Sequence, residues 1–315
     1  MTDAALAPKV RFFVAGVAKA GTTALCQFLG QHPQIFMCPI KEPTFFAARE
    51  LFSFDAASSA SAEAKAREVR RWLAGETPHA PEHGFALEWA DYEALFRDVR
   101  EERAIGDGSV NYWWAPGAPG AIRERFPDAR FVVMLRNPAE RLFSQYLAMR
   151  WAYPLRSLDE FIAMALERRD GLGLVIDVGY YATHLERFFG YFPREQFSIH
   201  LYDDFSADPR SVCRDIFAFL GVDPDHPINV SPRINAPRLP RWRRLHATLR
   251  SNGATRALLG RMPRRWRERV RDVFSGSRSQ EVMGAPDRRV LVEHYRDEIQ
   301  KTAKLIDRDL SQWLC

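Results

Sequence analysis

The 315-residue chain contains only four cysteines, Cys26, Cys38, Cys213 and Cys315, and none forms a C-x-x-C pair. Neither a zinc knuckle nor a disulfide framework fits that usage, and the expectation is four reduced, mostly buried thiols. Long apolar runs are missing too: none approaches the roughly 20 residues a helix needs to cross a bilayer. The opening "MTDAALAPKV" lacks the basic-then-apolar pattern of a secretory leader, so the expected location is the cytoplasm. Histidine pairs are equally scarce. His79 and His83 have H-x-x-x-H spacing with Glu82 beside them, but Pro81 breaks the helix such a pair requires, and an exposed loop is the reading. No metal is expected.

What is present is a chain 46% hydrophobic and 27% charged, enough to bury a substantial core as one large α/β domain, with two domains as the alternative. The net charge of +5 is unevenly placed. Between Val230 and Arg289 there are 16 arginines against four acids, Glu268, Asp272, Glu281 and Asp287. This basic segment, helical or irregular, reads either as a solvated surface or as a face for something anionic. Its mixture of arginines with Leu, Met, Phe and Trp over residues 238–274 suits an anionic membrane (residues 241–271), an acidic polysaccharide or a bound phosphate. Nucleic acid is a less favoured partner, and membrane association of a cytoplasmic protein is left open.

Along the chain, short apolar runs alternate with helical periodicity. "RFFVAG" passes through small residues into "TTALCQFLGQHP", a strand, tight loop and helix closed at His32-Pro33. "QIFMCP" reads as a short strand leading into "KEPTFF". Residues 53–83 read as an insertion or lid, with "REVRRWLAG" helical. "AIGDGSVNYWW" is a buried strand entering a turn, where two adjacent tryptophans cannot both point inward. "RFVVMLRNPAERLFSQYLAMRW" repeats the strand-to-helix transition, with Asn137 as cap and Pro138 in the first turn. "GYYATHLERFFGYFP" is an amphipathic helix, "FSIHLYDDF" a strand with an acidic end, and "SVCRDIFAFLGV" a helix stopped at Gly221. "LVEHYRDEIQKTAKLIDRDLSQWL" is the final helix. The alternation predicts an α/β fold with a parallel sheet covered on both faces.

The first loop, in "FFVAGVAKAGTTAL", holds both glycines of G-x-x-x-x-G-K-[ST], Gly16 and Gly21, but Thr22 replaces the lysine and Lys19 lies three residues earlier. Such a loop aims backbone N–H groups and the positive end of a helix dipole at one spot, where phosphate or sulfate belongs. Without the lysine beside the second glycine, and with Asp107 as the sole weak candidate for a metal-orienting aspartate, an ordinary ATP site is disfavoured.

"GVAKAGTTALCQFLGQHP", "KEPTFF" and "RFVVMLRNPAERLFSQY", in that order, resemble the sulfotransferase family that uses 3'-phosphoadenosine 5'-phosphosulfate (PAPS), in particular the branch of the heparan sulfate sulfotransferases and their bacterial relatives. The resemblance covers roughly residues 11–222, with a weaker match at "LIDRDLSQWL". It implies a single domain with a P-loop-like three-layer fold, its central parallel sheet flanked by helices and followed by the basic C-terminal region. It further implies that Lys19, Ala20, Gly21, Thr22, Thr23 and Ala24 cradle the donor's 5'-phosphosulfate, with Lys19 also stabilising the leaving charge. Arg136 and Ser144 match the positions that bind the 3'-phosphate. Glu42 falls where the carbohydrate branch has its catalytic carboxylate, and Lys41 either keeps it ionised or assists the leaving group. The heparan sulfate enzymes have a second lysine where this chain has Gly108, a departure that leaves the lysine's work to Lys41 or to an arginine. Arg233 and Arg238, in "SPRINAPRLP", are further candidates for contact with donor or acceptor. The implied acceptor is a hydroxyl of a carbohydrate, glycolipid or small metabolite. A phosphotransferase with an altered loop and a non-catalytic module for an anionic ligand stand as alternatives.

Overall fold

Five short segments rich in Val, Ile and Phe form one sheet: β1 (Val10–Gly16), β2 (Ile35–Met37), β3 (Ala104–Asp107), β4 (Arg130–Leu135) and β5 (Phe197–Leu201). The order is β2-β3-β1-β4-β5, parallel throughout. The computed structural model describes residues 10–52, 56–81, 83–150, 157–231, 238–240, 275–278 and 281–315. Phe12, Phe13, Val14 and Ala15 are all buried although successive side chains point to opposite faces, as a strand covered on both sides demands. The ring of Phe13 meets those of Phe46, Tyr112, Phe126 and Phe131 at centroid distances of 5.7 to 6.1 Å, an aromatic core under one face.

Helices described alongside the sheet are α1 (Thr22–Leu29), α2 (Ala48–Phe52), α3 (Ala56–Leu73), α4 (Trp89–Ala94), α5 (Ala118–Arg125), α6 (Pro138–Met149), α7 (Leu158–Leu166), α8 (Gly173–Asp177), α9 (Tyr181–Phe189), α10 (Tyr202–Ala207), α11 (Pro209–Leu220) and α12 (Ala285–Ile306). The capping chemistry read from sequence holds at α6, where Asn137 Oδ1 accepts the N–H groups of Ala139 and Glu140 at 3.0 and 3.4 Å. Gly221, with φ of 75°, ends α11. Within residues 53–83, α3 buries Ala62, Ala66 and Val69, one stripe at helical spacing.

Two boundaries differ from expectation. Helix α1 stops at Leu29 rather than at His32-Pro33, because the buried His32 ring turns back, its Nδ1 accepting from Gln34 N at 3.0 Å and its Nε2 lying 2.9 Å from Asp223 O. Helix α12 ends at Ile306 instead of running through "LSQWL", because Asp307 is left-handed (φ 52°) and Asp309 then accepts from Ser311 N at 2.9 Å to start a separate turn over Ser311–Leu314. The thiols of Cys26, Cys38 and Cys213 are buried enough for burial to raise their pKa values, although Cys26 and Cys38 are half-exposed as residues, and Cys315 is exposed.

The chain divides into two compact units, Met1–Pro232 with Gly284–Cys315, and Arg233–Met283. In the second, β6 (Arg238–Pro240) pairs antiparallel with β7 (Ser275–Arg278). The basic face expected over residues 241–271 lies outside the described residues. Among the described residues, no helix is long and apolar enough to cross a membrane.

Candidate active site

Every strand of the sheet delivers a chemically distinct residue at or just beyond its carboxyl end, the edge where open parallel sheets bind ligands. From β1 the chain enters the loop 16–21 and then α1. Lys19 (φ 72°) and Gly21 (φ 83°) are both left-handed, and no side chain caps α1. A Cβ at Gly21 would also come within 3.2 Å of the Tyr202 ring. The first-turn amides of Thr22, Thr23 and Ala24 precede the reach of helical hydrogen bonding, whereas Leu25 N already donates to Gly21 O at 3.1 Å. Thr22 is buried, and Lys19, Thr23 and Ala24 are half-buried.

From β4 comes Arg136. Its Nη1 donates to Lys19 O at 3.1 Å, its guanidinium lies 4.6 Å from the Tyr202 ring centroid, and its own carbonyl accepts the Tyr181 hydroxyl at 2.6 Å. Further along, on α6, Arg141 is fully buried. It donates from Nη2 to Val175 O, while no hydrogen-bond partner reaches its Nε among the described residues. Burial lowers the Lys19 pKa, and the Arg136 and Arg141 charges lower it further. The nearby carboxylate of Glu140 is 3.9 Å from Arg136 but is taken up by Arg288 of α12 at 2.5 Å. This corner therefore gathers cations and lone amides with little negative charge to balance them. Ser144 lies half-buried on α6, and the cap of that helix, Asn137, donates from Nδ2 to Trp313 O at 3.3 Å and so ties the C-terminal turn to the corner.

From the ends of β2 and β3 comes a carboxylate cluster. Lys41 Nζ donates to Glu42 Oε1 and, at 3.4 Å, to Gly108 O, and Val110 N donates to Glu42 Oε2 at 2.8 Å. Burial, the largest single influence, depresses the Lys41 pKa, yet Glu42, Cys26 and Asp107 together outweigh it, so Lys41 is held protonated above its ordinary range. Asp107 is buried behind them, with Oδ1 accepting from Ser109 Oγ at 2.7 Å and Oδ2 accepting from the hydroxyls of Tyr92 and Tyr112 at 3.0 and 2.8 Å. Burial pushes its pKa up to about 6, opposed by those three hydroxyls.

Two contacts join the clusters. The Trp113 ring lies 2.9 Å from where a Cβ at Gly16 would stand, and Cys26 Sγ of α1 lies 2.8 Å from where one at Gly108 would stand. The second contact accounts for glycine at position 108: the thiol fills the space a side chain would leave by, and Lys41 brings an ammonium to the same backbone from the segment that follows β2. Of the aromatic trio, Tyr112 and Trp113 are core residues and only Trp114 is half-exposed, its indole donating to Asn111 Oδ1 at 3.4 Å.

The structure thus brings Lys19, Gly21, Thr22, Thr23 and Arg136 together, and Lys41 with Glu42. Arg233 lies outside the described residues, and Arg238 is described only as backbone in β6. Sequence reasoning missed Arg141, Tyr181, Tyr202 and Ser109, and it weighed Asp107 only as a metal-orienting aspartate, whereas Asp107 accepts the Ser109 hydroxyl. Arg141 carried a usable signal, an arginine flanked by the buried Ala139, Leu142, Phe143 and Tyr146 on one helix. The tyrosines come from distant segments and carried none.

Comparison with known proteins bears on the family and the fold. The model of the sulfotransferase family matches residues 11–226. Human carbohydrate sulfotransferase 15 is 25% identical over 68% of this chain and 44% of its own length. Human heparan sulfate glucosamine 3-O-sulfotransferase 6 is 26% identical over 66% of this chain and 51% of its own. The chain thus spans about half, or less, of the length of these curated relatives. Among solved structures, a sulfotransferase from Alicyclobacillus acidocaldarius is similar over 98% of this chain and 99% of that one, with 27% identity and a TM-score of 0.68. With more than half of its residues matched by the family model, the chain belongs to the sulfotransferase family.

Proposed function

We propose that this protein transfers the sulfuryl group of PAPS to a hydroxyl of a carbohydrate or a similarly hydroxylated acceptor. The observation that carries the reading is the pairing of two unlike corners at one sheet edge: Lys19 and Arg136, beside the uncapped start of α1, and Glu42, held by Lys41 and Val110 N. The first is complementary to a polyanionic nucleotide, and the second is a base with its own counter-ion. The names of the relatives, which act on carbohydrate and heparan sulfate, support the acceptor class.

The donor supplies an activated sulfur, already bonded to a good leaving oxygen. In this reading the amides of Thr22, Thr23 and Ala24 and the two threonine hydroxyls hold its 5'-phosphate, and Arg136 with Ser144 holds its 3'-phosphate. Glu42 takes the acceptor's hydroxyl proton as the new oxygen–sulfur bond forms. Lys19 neutralises the charge that collects on the bridging oxygen as the old sulfur–oxygen bond breaks. Lys41 holds the Glu42 carboxylate in place as its counter-ion before transfer. A sulfuryl group carries less negative charge than a phosphoryl group, so an ammonium suffices where kinases use magnesium. Asp107 does not favour the phosphotransferase alternative, because both its oxygens already accept hydroxyl hydrogens within the core.

Glu42→Gln is expected to lower turnover by about 10²–10⁴ and to leave intact the thermal stabilisation given by adenosine 3',5'-diphosphate without metal. Stabilisation by ATP with magnesium, and none by the diphosphate, would transfer the assignment to the phosphotransferase reading. Turnover unchanged in the glutamine variant would remove Glu42 as the base.

A further inference from the structure

Glu42 stands in backbone that L-residues rarely adopt: it has φ of 61°, and Thr44 has φ of 60°. For a β-branched residue such as threonine the left-handed region is a genuine outlier. Conformations of this kind persist only where their surroundings over-determine them.

Here the surroundings are the residues that follow β3. Gly108 O accepts Glu42 N at 3.3 Å, and Val110 N donates to the Glu42 carboxylate. Ala86 N donates to Pro43 O at 3.0 Å, and Thr44 Oγ1 donates back to Glu42 O at 2.9 Å. Asn111 Nδ2 donates to Thr44 Oγ1 at 3.4 Å and Ala47 N to Thr44 O at 3.1 Å, while the Thr44 amide itself is held by a side chain: Ser109 Oγ accepts Thr44 N at 3.0 Å. A serine hydroxyl has one hydrogen, and Ser109 gives it to Asp107 Oδ1. Its lone pairs are thereby left toward the Thr44 amide. Asp107 cannot turn away, since the Tyr92 and Tyr112 hydroxyls pin its other oxygen. Thr44, Asp107 and Ser109 are all buried, so no bulk water substitutes for a lost partner.

We propose that Ser109, with its hydroxyl hydrogen drawn to Asp107, is a positioning residue for Glu42: it anchors the Thr44 amide and so fixes the left-handed turn that aims the carboxylate. The proposal rests on Glu42 being the base. Neither Ser109 nor Asp107 touches substrate in this account, and both act through the turn at 42–44.

The test is Ser109→Ala, made in the wild-type chain and in Glu42→Gln, with turnover of labelled PAPS, KM for PAPS and hydrogen exchange at the Thr44 amide as readouts. In the wild-type background kcat is expected to fall by about tenfold to a hundredfold, with KM for PAPS within about twofold and with Thr44 exchanging faster while the sheet amides stay protected. In the Glu42→Gln background the same change is expected to cost less than about twofold, because the group it positions is already gone. Should the alanine variant fail to fold, Ser109→Cys, with a thiol of similar size that bonds weakly, takes its place with the same pattern at smaller amplitude. Wild-type kcat in Ser109→Ala overturns the proposal, as does an equal further loss in the Glu42→Gln background. Full turnover in Glu42→Gln alone is a different failure, that of the base assignment itself.

Discussion

The two corners of the sheet edge solve opposite electrostatic problems. Around the first loop, Lys19, Arg136 and the buried Arg141 repel one another, and the nearest acid, Glu140, is shared with Arg288. Around the end of β3, Lys41, Glu42, Asp107 and three hydroxyls satisfy one another internally. One corner is incomplete until an anion arrives, and the other is finished before anything binds. The difference matches the proposed division of labour: affinity for a highly charged donor comes from unspent positive charge, and catalysis of proton removal comes from a carboxylate held in place.

The largest effect that would break this contrast is Lys19→Ala. If Lys19 stabilises charge as the sulfuryl group leaves, turnover at saturating PAPS is expected to fall by about 10²–10³, measured with labelled donor. Recovery of the rate at high PAPS would reduce Lys19 to a binding residue and place both corners on the same footing.

A smaller effect sharpens the contrast by titration. Lys19 has a pKa lowered by burial and by its two arginine neighbours, and a bound anion raises it again. Between those two values binding takes up a proton, so affinity for adenosine 3',5'-diphosphate is expected to fall as pH rises through the lowered value, by at most tenfold per pH unit. Arg141→Met removes one of the repelling charges. The fall should then move to higher pH, while affinity at neutral pH weakens, both read by calorimetry. An unmoved profile would mean that Arg141 only fills space.

How much of this was legible beforehand follows from how local each feature is. The strand, glycine loop and helix at residues 10–29 and the Asn-Pro start of α6 are written in adjacent residues, because caps, glycines and apolar period act over a few positions. The left-handed turn at Glu42 and Thr44 is not, since neither residue type signals positive φ; it is imposed by Gly108, Ser109 and Val110, more than sixty residues along the chain. Gly108 shows the same limit. It reads as a missing lysine in the sequence, and the partner that explains it, Cys26, becomes visible only when α1 is laid against β3.

The smallest expected effect lies behind the corners, in two buried groups with opposite responses to acid. Burial lowers the His184 pKa to about 4; its Nε2 lies 2.7 Å from Asp177 O, and no partner reaches Nδ1 among the described residues. Its unfolded value is near 6.5, so between those limits the unfolded chain binds more protons and stability falls as pH drops. Asp107 is the reverse: at about 6 against 3.8 unfolded, the folded chain holds the extra proton, and stability rises as pH drops through the same window. Each shift is worth about 3 kcal/mol across its window, so the two nearly cancel in the wild type. Denaturant midpoints at pH 7 and pH 4.5 should expose the balance: Asp107→Asn loses stability on acidification more steeply than wild type, and His184→Gln gains it. An acid response of Asp107→Asn no steeper than that of the wild type would show that the carboxylate behind the base is already ionised at acid pH, and that its three hydroxyl donors outweigh its burial.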